Sequence, residues 1–276
     1  VIIPAPYWVS YPDMVILAEG KPVIISTKAE NNFKLDIKEL EEKINARTKW
    51  IIINSPSNPT GTCYTKEEIF EIGELLEKHP NVNIISDDIY EKVVYENFKF
   101  FTIAQLSQRL KDRTITVNGV SKAFSMTGWR IGYAGGPAPI IKAMAKIQSQ
   151  STSNPTSISQ YAALEALTSS QAFILDNSIL FKKRRDLIVD IVNNVKGLEC
   201  NLPEGAFYIF PSIKEIIGKE NHKGEIIKDS SSFCEYLLEQ AGVAAVPGQA
   251  FGMDGHFRIS YATSEELLRS AGERIK

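Results

Sequence analysis

The sequence has little of what disulfide-stapled or metal-binding proteins require. Its 276 residues include only three cysteines and three histidines. Cys63, Cys200 and Cys234 are far apart and odd in number, which excludes a disulfide framework and a CxxC metal pair. The histidines show no zinc-ligand spacing. We therefore expect a cytoplasmic location and no metal site.

The sequence also lacks an excess of charge and a long apolar run. Its 31 basic and 33 acidic residues give a formal net charge of −2, so it has no basic field suited to nucleic acid. No apolar run approaches the length of a membrane span. With 43% hydrophobic residues, the chain has an ordinary globular composition. Small molecules are the expected partners, with neither nucleic acid nor membrane.

The first residue is Val1 rather than methionine, and no charged leader precedes the opening "VIIPAPYW". This stretch is typical of a buried strand that runs into a proline-broken loop. We expect the chain to start in mid-domain, with the N-terminal part of the fold missing.

The first two thirds alternate between strand and helix patterns. "KWIIIN" (49–54), "NVNIIS" (81–86) and "RTITVNG" (113–119) are short β-branched runs typical of buried parallel strands. Between the first two, Thr65 and Glu68 form a capping-box pattern, an apolar helical face follows, and Pro80 ends the helix. This strand–helix–strand unit predicts an α/β fold whose mostly parallel sheet is flanked by helices.

The pattern changes along the rest of the chain. Residues 138–195 are predicted mainly helical, and the charged run "KKRRD" (182–186) is interpreted as a solvated face. After Gly197, "GAFYIF" and "HFRISYA" predict strands, with a helix at "SSSFCEYLLEQAG" and another at "SEELLRSAGERI". We expect a large domain over 1–180 and a smaller α+β C-terminal domain over 181–276.

Polar segments follow all three predicted strands of the first part: "NSPSNPTG", "SDDIYE" and "NGVSKAF". Ligands of open α/β sheets bind beyond the carboxyl ends of the strands. The three segments are therefore expected to converge on one site.

These segments contain the groups that pyridoxal phosphate needs. Asp87 can pair with a protonated ring nitrogen, although a carboxylate there can equally cap a turn. Lys122, if desolvated, has a lowered pKa and can form a Schiff base with an aldehyde, whereas a loop lysine is more often a surface charge. Arg130 can hold a phosphate, with Ser121 as a further donor. Together they describe a pyridoxal phosphate site.

Six segments resemble, in order, those of class I aminotransferases, which are pyridoxal-phosphate-dependent transferases of fold type I. They are "PAPYWVSYPD", "SPSNPTG", "SDDIYE", "SKAFSMTGWRIGY", "PEGAFY" and "FRISYA". The resemblance covers essentially the whole chain and is greatest to the bacterial subgroup of aspartate and aspartate/prephenate aminotransferases. It implies a homodimer with active sites at the subunit interface, near residues 149–157.

The resemblance also implies a role for each matching residue. Lys122, Asp87 and Tyr90 match the catalytic set, in which the lysine forms the Schiff base and the carboxylate pairs with the ring nitrogen. The residues that match cofactor-binding positions are Lys122, Asp87, Tyr90, Asn58, Trp8, Ser121 and Arg130. Trp8, Asn58 and Arg258 match substrate-binding positions.

Arg258 also has support from its own strand pattern. In "HFRISYA", Phe257, Ile259 and Tyr261 alternate with His256, Arg258 and Ser260, so the arginine lies on the more polar face. A guanidinium fork suits a carboxylate; the alternative is a solvent-facing charge on an edge strand.

The implied reaction moves the amino group of L-aspartate to 2-oxoglutarate, with prephenate as another acceptor, by a ping-pong mechanism. The glycine-rich phosphate loop of the family has no counterpart here, and Ser149 stands where animal-type aspartate aminotransferases have a substrate-reading arginine. An aminotransferase for aromatic or other amino acids and a carbon–sulfur lyase on the same fold are the enzyme alternatives. A transcription regulator with an aminotransferase-like domain is the alternative from another class.

Overall fold

A computed structural model of the chain describes residues 1–96 and 98–276. Its centre is a six-stranded sheet with the order β2-β1-β3-β4-β5-β6. The strands are β1 Ile2–Ala5, β2 Val23–Ser26, β3 Trp50–Asn54, β4 Asn83–Asp87, β5 Thr114–Gly119 and β6 Gly132–Gly135. All neighbouring pairs are parallel except β5 and β6, which are antiparallel. The predicted mostly parallel sheet is confirmed.

Helices connect these strands and continue after them. They are α1 Ser10–Leu17, α2 Ile37–Lys43, α3 Lys66–Glu77, α4 Gln108–Lys111, α5 Ala138–Ser151, α6 Ser157–Thr168, α7 Ala172–Asn193, α8 Ser230–Ala241 and α9 Glu265–Ile275. Within the described ranges, none of the helices is long and apolar enough to cross a membrane.

Helix α3 forms for the reasons that its sequence indicates. The Thr65 hydroxyl accepts a hydrogen bond from the Glu68 backbone N–H, and the Glu68 carboxylate accepts one from the Thr65 N–H, which completes the capping box. Its apolar face is buried against the sheet with β3 and β4. Strong local signals of this kind make the strand–helix–strand unit readable from sequence.

A small antiparallel sheet lies in the C-terminal part. Its strands are β7 Tyr208–Ile209, β8 Val246–Pro247 and β9 Phe257–Ser260, and β9 is the central one. One apolar core joins residues after β5, such as Phe124, to α7, α8 and β9. Helix α7 runs through position 180, where the domain boundary was placed, so the division into two domains stays a prediction.

The charged run on α7 is not a fully solvated face, because Arg185 is only 1% exposed. Its Nη1 donates to the Pro203 carbonyl at 2.8 Å and its Nη2 donates to a Glu96 carboxylate oxygen at 2.9 Å. Its guanidinium carbon also lies 4.9 Å from the centre of the Tyr95 ring. The prediction was wrong for this residue, because these long-range partners do not show in the helical pattern.

Candidate active site

The carboxyl edge of the parallel sheet gathers the predicted site residues. Trp8 follows β1, Asn58 follows β3, Asp87 ends β4, and Lys122 lies three residues after β5. Because parallel strands end at the same edge, these positions meet around one cavity of about 580 Å³. All eight predicted residues line it: Trp8, Asn58, Asp87, Tyr90, Ser121, Lys122, Arg130 and Arg258.

Asp87 is held by groups from two other elements, one at its carboxylate and one at its backbone carbonyl. The hydroxyl of Tyr11, on α1, donates to Asp87 Oδ2 at 2.5 Å. The side-chain amide of Asn54 donates to the Asp87 carbonyl at 2.9 Å and its Oδ1 accepts from the Asn58 N–H at 2.9 Å. Burial raises the pKa of Asp87, and the Tyr11 hydrogen bond, the Ile89 N–H and the Lys122 charge oppose that rise.

Lys122 is half-buried in the cavity, and its pKa is lowered. Burial is the largest cause; the positive charges of Arg130 and Arg258 add to it, while Asp87 opposes it. Among the described residues, no ion pair involves Lys122 or Asp87. A lysine in this setting has a larger neutral fraction at neutral pH than a surface lysine, and the neutral amine is the form that attacks a carbonyl or accepts a proton.

Arg130 and Ser121 lie on the side of the cavity towards β6. Arg130 has a left-handed backbone (φ 51°) at the end of a short turn, Thr127–Trp129. Its Nη1 donates to the Thr127 carbonyl at 2.9 Å, and the side chain is otherwise exposed. Ser121 is half-buried beside Lys122. Both can donate to an anion placed at this end of the cavity.

Arg258 enters from the small sheet, opposite the strand ends. Its Nη1 donates to Asn58 Oδ1 at 2.8 Å, and its Nε is buried without a hydrogen-bond partner in the part of the chain that the structure describes. The guanidinium carbon lies 4.4 Å from the Tyr208 ring centre and 5.0 Å from that of Phe251. The cation is thus fixed between two aromatic rings.

One expectation about the strand of Arg258 needs correction. The strand is the central one of its sheet, so the alternative of an edge-strand charge is wrong. His256, on the same side of the chain as Arg258, is only 2% exposed. Its ring is stacked on that of Phe210 with centres 5.1 Å apart. Packing from outside the strand thus buries this polar side chain.

Tyr90 and Trp8 form further parts of the cavity wall. Tyr90 is buried, and its hydroxyl is 3.0 Å from the hydroxyl of Tyr208. Burial, then the neighbouring Tyr208 and Asp87, raise the pKa of Tyr90 well above its usual range, so its hydroxyl keeps its hydrogen at neutral pH. Trp8 is 39% exposed and packs edge-to-face on Tyr11 at 5.4 Å.

Sequence reasoning missed three residues of this site: Tyr11, Asn54 and Tyr208. Tyr11 lies in "PAPYWVSYPD", Asn54 ends "KWIIIN" and Tyr208 lies in "PEGAFY". A buried tyrosine at the end of an apolar run is more often a core residue, so local pattern gave no reason to select it. Their partners are far along the chain, up to 118 residues away for Tyr208 and Tyr90.

The residues present fit pyridoxal phosphate. The Lys122 amine matches an aldehyde, Asp87 matches a protonated ring nitrogen, and Arg130 matches a phosphate. Asp87 in particular is a largely desolvated carboxylate at a cavity wall, with no cation paired to it in the described parts of the chain. Such a group is stabilised by a cationic ring atom.

Comparison with known proteins identifies the family of the chain. Residues 1–275 match the family described as aminotransferase class I and II. The chain is 58% identical over 276 residues to a protein of Rickettsia bellii named probable aspartate/prephenate aminotransferase, and the match covers 100% of this chain and 69% of that protein. It is 56% identical to the aspartate/prephenate aminotransferase of Cereibacter sphaeroides, again over 100% of this chain and 69% of the relative.

The solved structures that resemble this chain are also aminotransferases. The aspartate aminotransferase of Rhizobium meliloti superposes with a TM-score of 0.96 at 53% identity, covering 99% of this chain and 68% of that one. The aromatic aminotransferase of Pyrococcus horikoshii superposes with a TM-score of 0.92 at 41% identity, covering 99% and 71%. The fold is that of a fold type I transferase. The chain belongs to the class I and II aminotransferase family, and it is a pyridoxal-phosphate-dependent aminotransferase.

Proposed function

We propose that this chain transfers the amino group of L-aspartate to 2-oxoglutarate, with prephenate as a further acceptor, by a ping-pong mechanism. The observation that carries the proposal is the setting of Lys122. Its amine lies in one cavity with Asp87, and the cations Arg130 and Arg258 help to lower its pKa. A lysine so placed suits both carbonyl chemistry and proton transfer.

Lys122 acts first as the anchor of the cofactor and then as the general base and acid. Its lowered pKa increases the neutral fraction of the amine, which is the form that takes a proton from the substrate Cα. When bound, pyridoxal phosphate supplies an aldehyde for the amino group and a ring that withdraws electrons from that carbon. Lys122 is the titratable amine among the residues that line the cavity.

The other residues would hold and orient the cofactor. Asp87 would keep a proton on the ring nitrogen, and Tyr90 and Asn58 would donate to the ring's phenolic oxygen. Arg130 and Ser121 would hold the phosphate, and Trp8 would pack against the ring. Because these residues come from different strand ends, the sheet itself fixes their spacing.

Arg258 binds the substrate α-carboxylate. Its guanidinium is desolvated, fixed by Asn58 and two rings, and retains a buried N–H that no described residue satisfies. A carboxylate offers the acceptor oxygens that this group requires. Amino acid and 2-oxo acid both carry that carboxylate, so they occupy the same position in turn, which is the structural condition for ping-pong kinetics.

The choice of aspartate and prephenate is supported by the names of the relatives at 53–58% identity. A second candidate is an aromatic amino acid as donor. It is supported by the superposition on the Pyrococcus horikoshii aromatic aminotransferase at a TM-score of 0.92 and by the tyrosine and tryptophan rings that line the cavity.

We also propose that the protein is a cytoplasmic homodimer with its active sites near the subunit interface. Broad apolar surface on α5, α6 and α7 supports this assembly, because large exposed apolar patches mark protein interfaces. Its most exposed members are Ile147, Ile158, Tyr161, Leu175 and Ile179, each 69–74% exposed. The three buried free cysteines are consistent with a reducing compartment.

The test is an absorption titration with pyridoxal phosphate and then with L-aspartate. We expect the wild type to show a visible band that aspartate converts to the pyridoxamine-form band. Lys122→Ala should show only the spectrum of the free aldehyde. The control Lys38→Ala removes an exposed lysine on α2, outside the cavity and outside the proposed interface, and should behave as wild type.

The outcomes separate the parts of the proposal. If aspartate leaves the wild-type band unchanged while phenylalanine converts it, the aromatic candidate replaces aspartate. A wild type without any cofactor band contradicts the assignment of the site as a whole.

A further inference from the structure

The side chain of Tyr208 contacts two residues that have separate proposed tasks. Its ring lies against the Arg258 guanidinium at 4.4 Å, and its hydroxyl lies 3.0 Å from that of Tyr90. Arg258 belongs to the substrate side of the cavity and Tyr90 to the cofactor side. Tyr208 itself is only 6% exposed and lies on β7, paired with Ser260 of β9.

We propose that Tyr208 is a positioning residue that serves substrate and cofactor binding through different parts of one side chain. The ring orients Arg258 for the substrate carboxylate, and the hydroxyl orients the Tyr90 hydroxyl for the cofactor. This inference rests on the proposed function of the site.

The direction of the hydrogen bond between the Tyr90 and Tyr208 hydroxyls follows from the number of hydrogens that each can donate. Each hydroxyl has one hydrogen to donate. Tyr90 stays protonated because burial raises its pKa, and it needs its hydrogen for the cofactor's phenolic oxygen. The 3.0 Å contact must then be made by the hydrogen of Tyr208, with the Tyr90 oxygen as acceptor. This donation polarises Tyr90 and strengthens its own donation to the cofactor.

The ring has a separate effect on Arg258. Asn58 accepts from Nη1 on one edge of the guanidinium, but no ion pair holds the cation among the described residues. The aromatic faces of Tyr208 and Phe251 therefore set the plane in which its fork meets a carboxylate. A phenylalanine at position 208 keeps this face, whereas a leucine does not.

The experiment measures two dissociation constants, for pyridoxal phosphate on the apoprotein and for succinate on the cofactor-loaded protein. We expect Tyr208→Phe to weaken cofactor binding about three- to tenfold, the worth of one hydrogen bond, and to leave succinate binding within about twofold. Tyr208→Leu should also weaken succinate binding, by about five- to twentyfold. Phe251→Leu should weaken succinate binding alone.

Tyr64→Phe is the matched control, since it removes another buried tyrosine hydroxyl, one that accepts from the Leu35 N–H away from this cavity. Both constants should stay within about twofold of wild type, as expected for a change outside the site. If Tyr208→Phe and Tyr208→Leu weaken both ligands equally, Tyr208 is only a structural residue and the inference is wrong. A wild type that binds neither ligand contradicts the proposed function itself, which separates the two failures.

Discussion

At the scale of single residues, the site depends on the charge state of Asp87. Burial destabilises the charged form of a carboxylate, and burial is the largest cause of the raised pKa of Asp87. The Tyr11 hydroxyl is the strongest opposing influence. The acid therefore stays available as an anion because a neighbour on α1 stabilises it.

Tyr11→Phe tests this dependence. Loss of the hydrogen bond should raise the pKa of Asp87 further, so the anion forms only at higher pH. Cofactor affinity, which needs the anion, should therefore begin to fall at a higher pH in the variant than in the wild type when the pH is lowered, by about three- to tenfold between the two pKa values, and should match the wild type above the variant pKa. The pKa is read from carboxyl carbon-13 shifts of the apoprotein, and affinity from a cofactor titration at several pH values.

Tyr64→Phe serves again as the reference, because it should leave the Asp87 titration where it is in the wild type. An unchanged Asp87 pKa in Tyr11→Phe would show that the hydrogen bond contributes no net stabilisation to the anion.

At the scale of elements, the segment before β7 determines where Tyr208 lies. The Gly205 N–H donates to the Gly61 carbonyl at 2.9 Å, and the Ala206 N–H donates to the Val93 carbonyl at 2.9 Å. The Glu204 carboxylate accepts from the Cys63 N–H at 3.2 Å. The bonds to Gly61 and Cys63 tie the segment to the loop after β3, which carries Asn58, and the bond to Val93 ties it to the segment after β4.

Gly205→Ala should disturb this junction. A Cβ at this position would lie 2.7 Å from a Pro56 side-chain atom and 2.8 Å from Cys63 Sγ, so the backbone must shift. We expect a loss of about 1–3 kcal/mol in the free energy of unfolding, measured by urea denaturation. Gly128→Ala is the control, since a Cβ there meets nothing within 4 Å; equal losses in both variants would contradict the packing argument.

Elements with strong local signals were predictable from the sequence. Strands β3, β4 and β5 and helix α3 follow from β-branched runs and a capping box. Strand β8 was not predicted because it has only two residues. Strand β6 was not predicted because Gly132–Gly135 has a glycine at each end and forms a strand by pairing with β5. In the same way, the role proposed for Lys122 was suggested by its own segment, whereas the residues that hold Asp87 and Arg258 could not be predicted because they come from distant segments.

At the scale of the whole molecule, α5, α6 and α7 expose a broad apolar surface that nothing in the described part of a single chain covers. Helix α5 has no buried residue along its 14 positions. Helices of this composition gain stability mainly by packing an apolar face. A second copy of the chain supplies such a face in the proposed homodimer.

Sedimentation velocity should therefore show a dimer, and Tyr161→Asp should shift the population towards monomer because it places a charge in the apolar interface. Leu238→Asp is the matched control: this leucine is 54% exposed on α8, outside the apolar surface of α5, α6 and α7. A wild type that sediments as a monomer, or a Tyr161→Asp variant that remains as dimeric as the control, would contradict the assembly.

The contact between Arg258 and Asn58 joins residues 200 positions apart. A ribosome adds about 5–20 residues per second, so Asn58 is made about 10–40 s before its partner. A chain that stops short of residue 258 can still contain Lys122 and Asp87, but it lacks the group proposed to bind the substrate carboxylate. In the proposed function, the growing polypeptide therefore gains its cofactor-binding residues before its substrate-binding arginine.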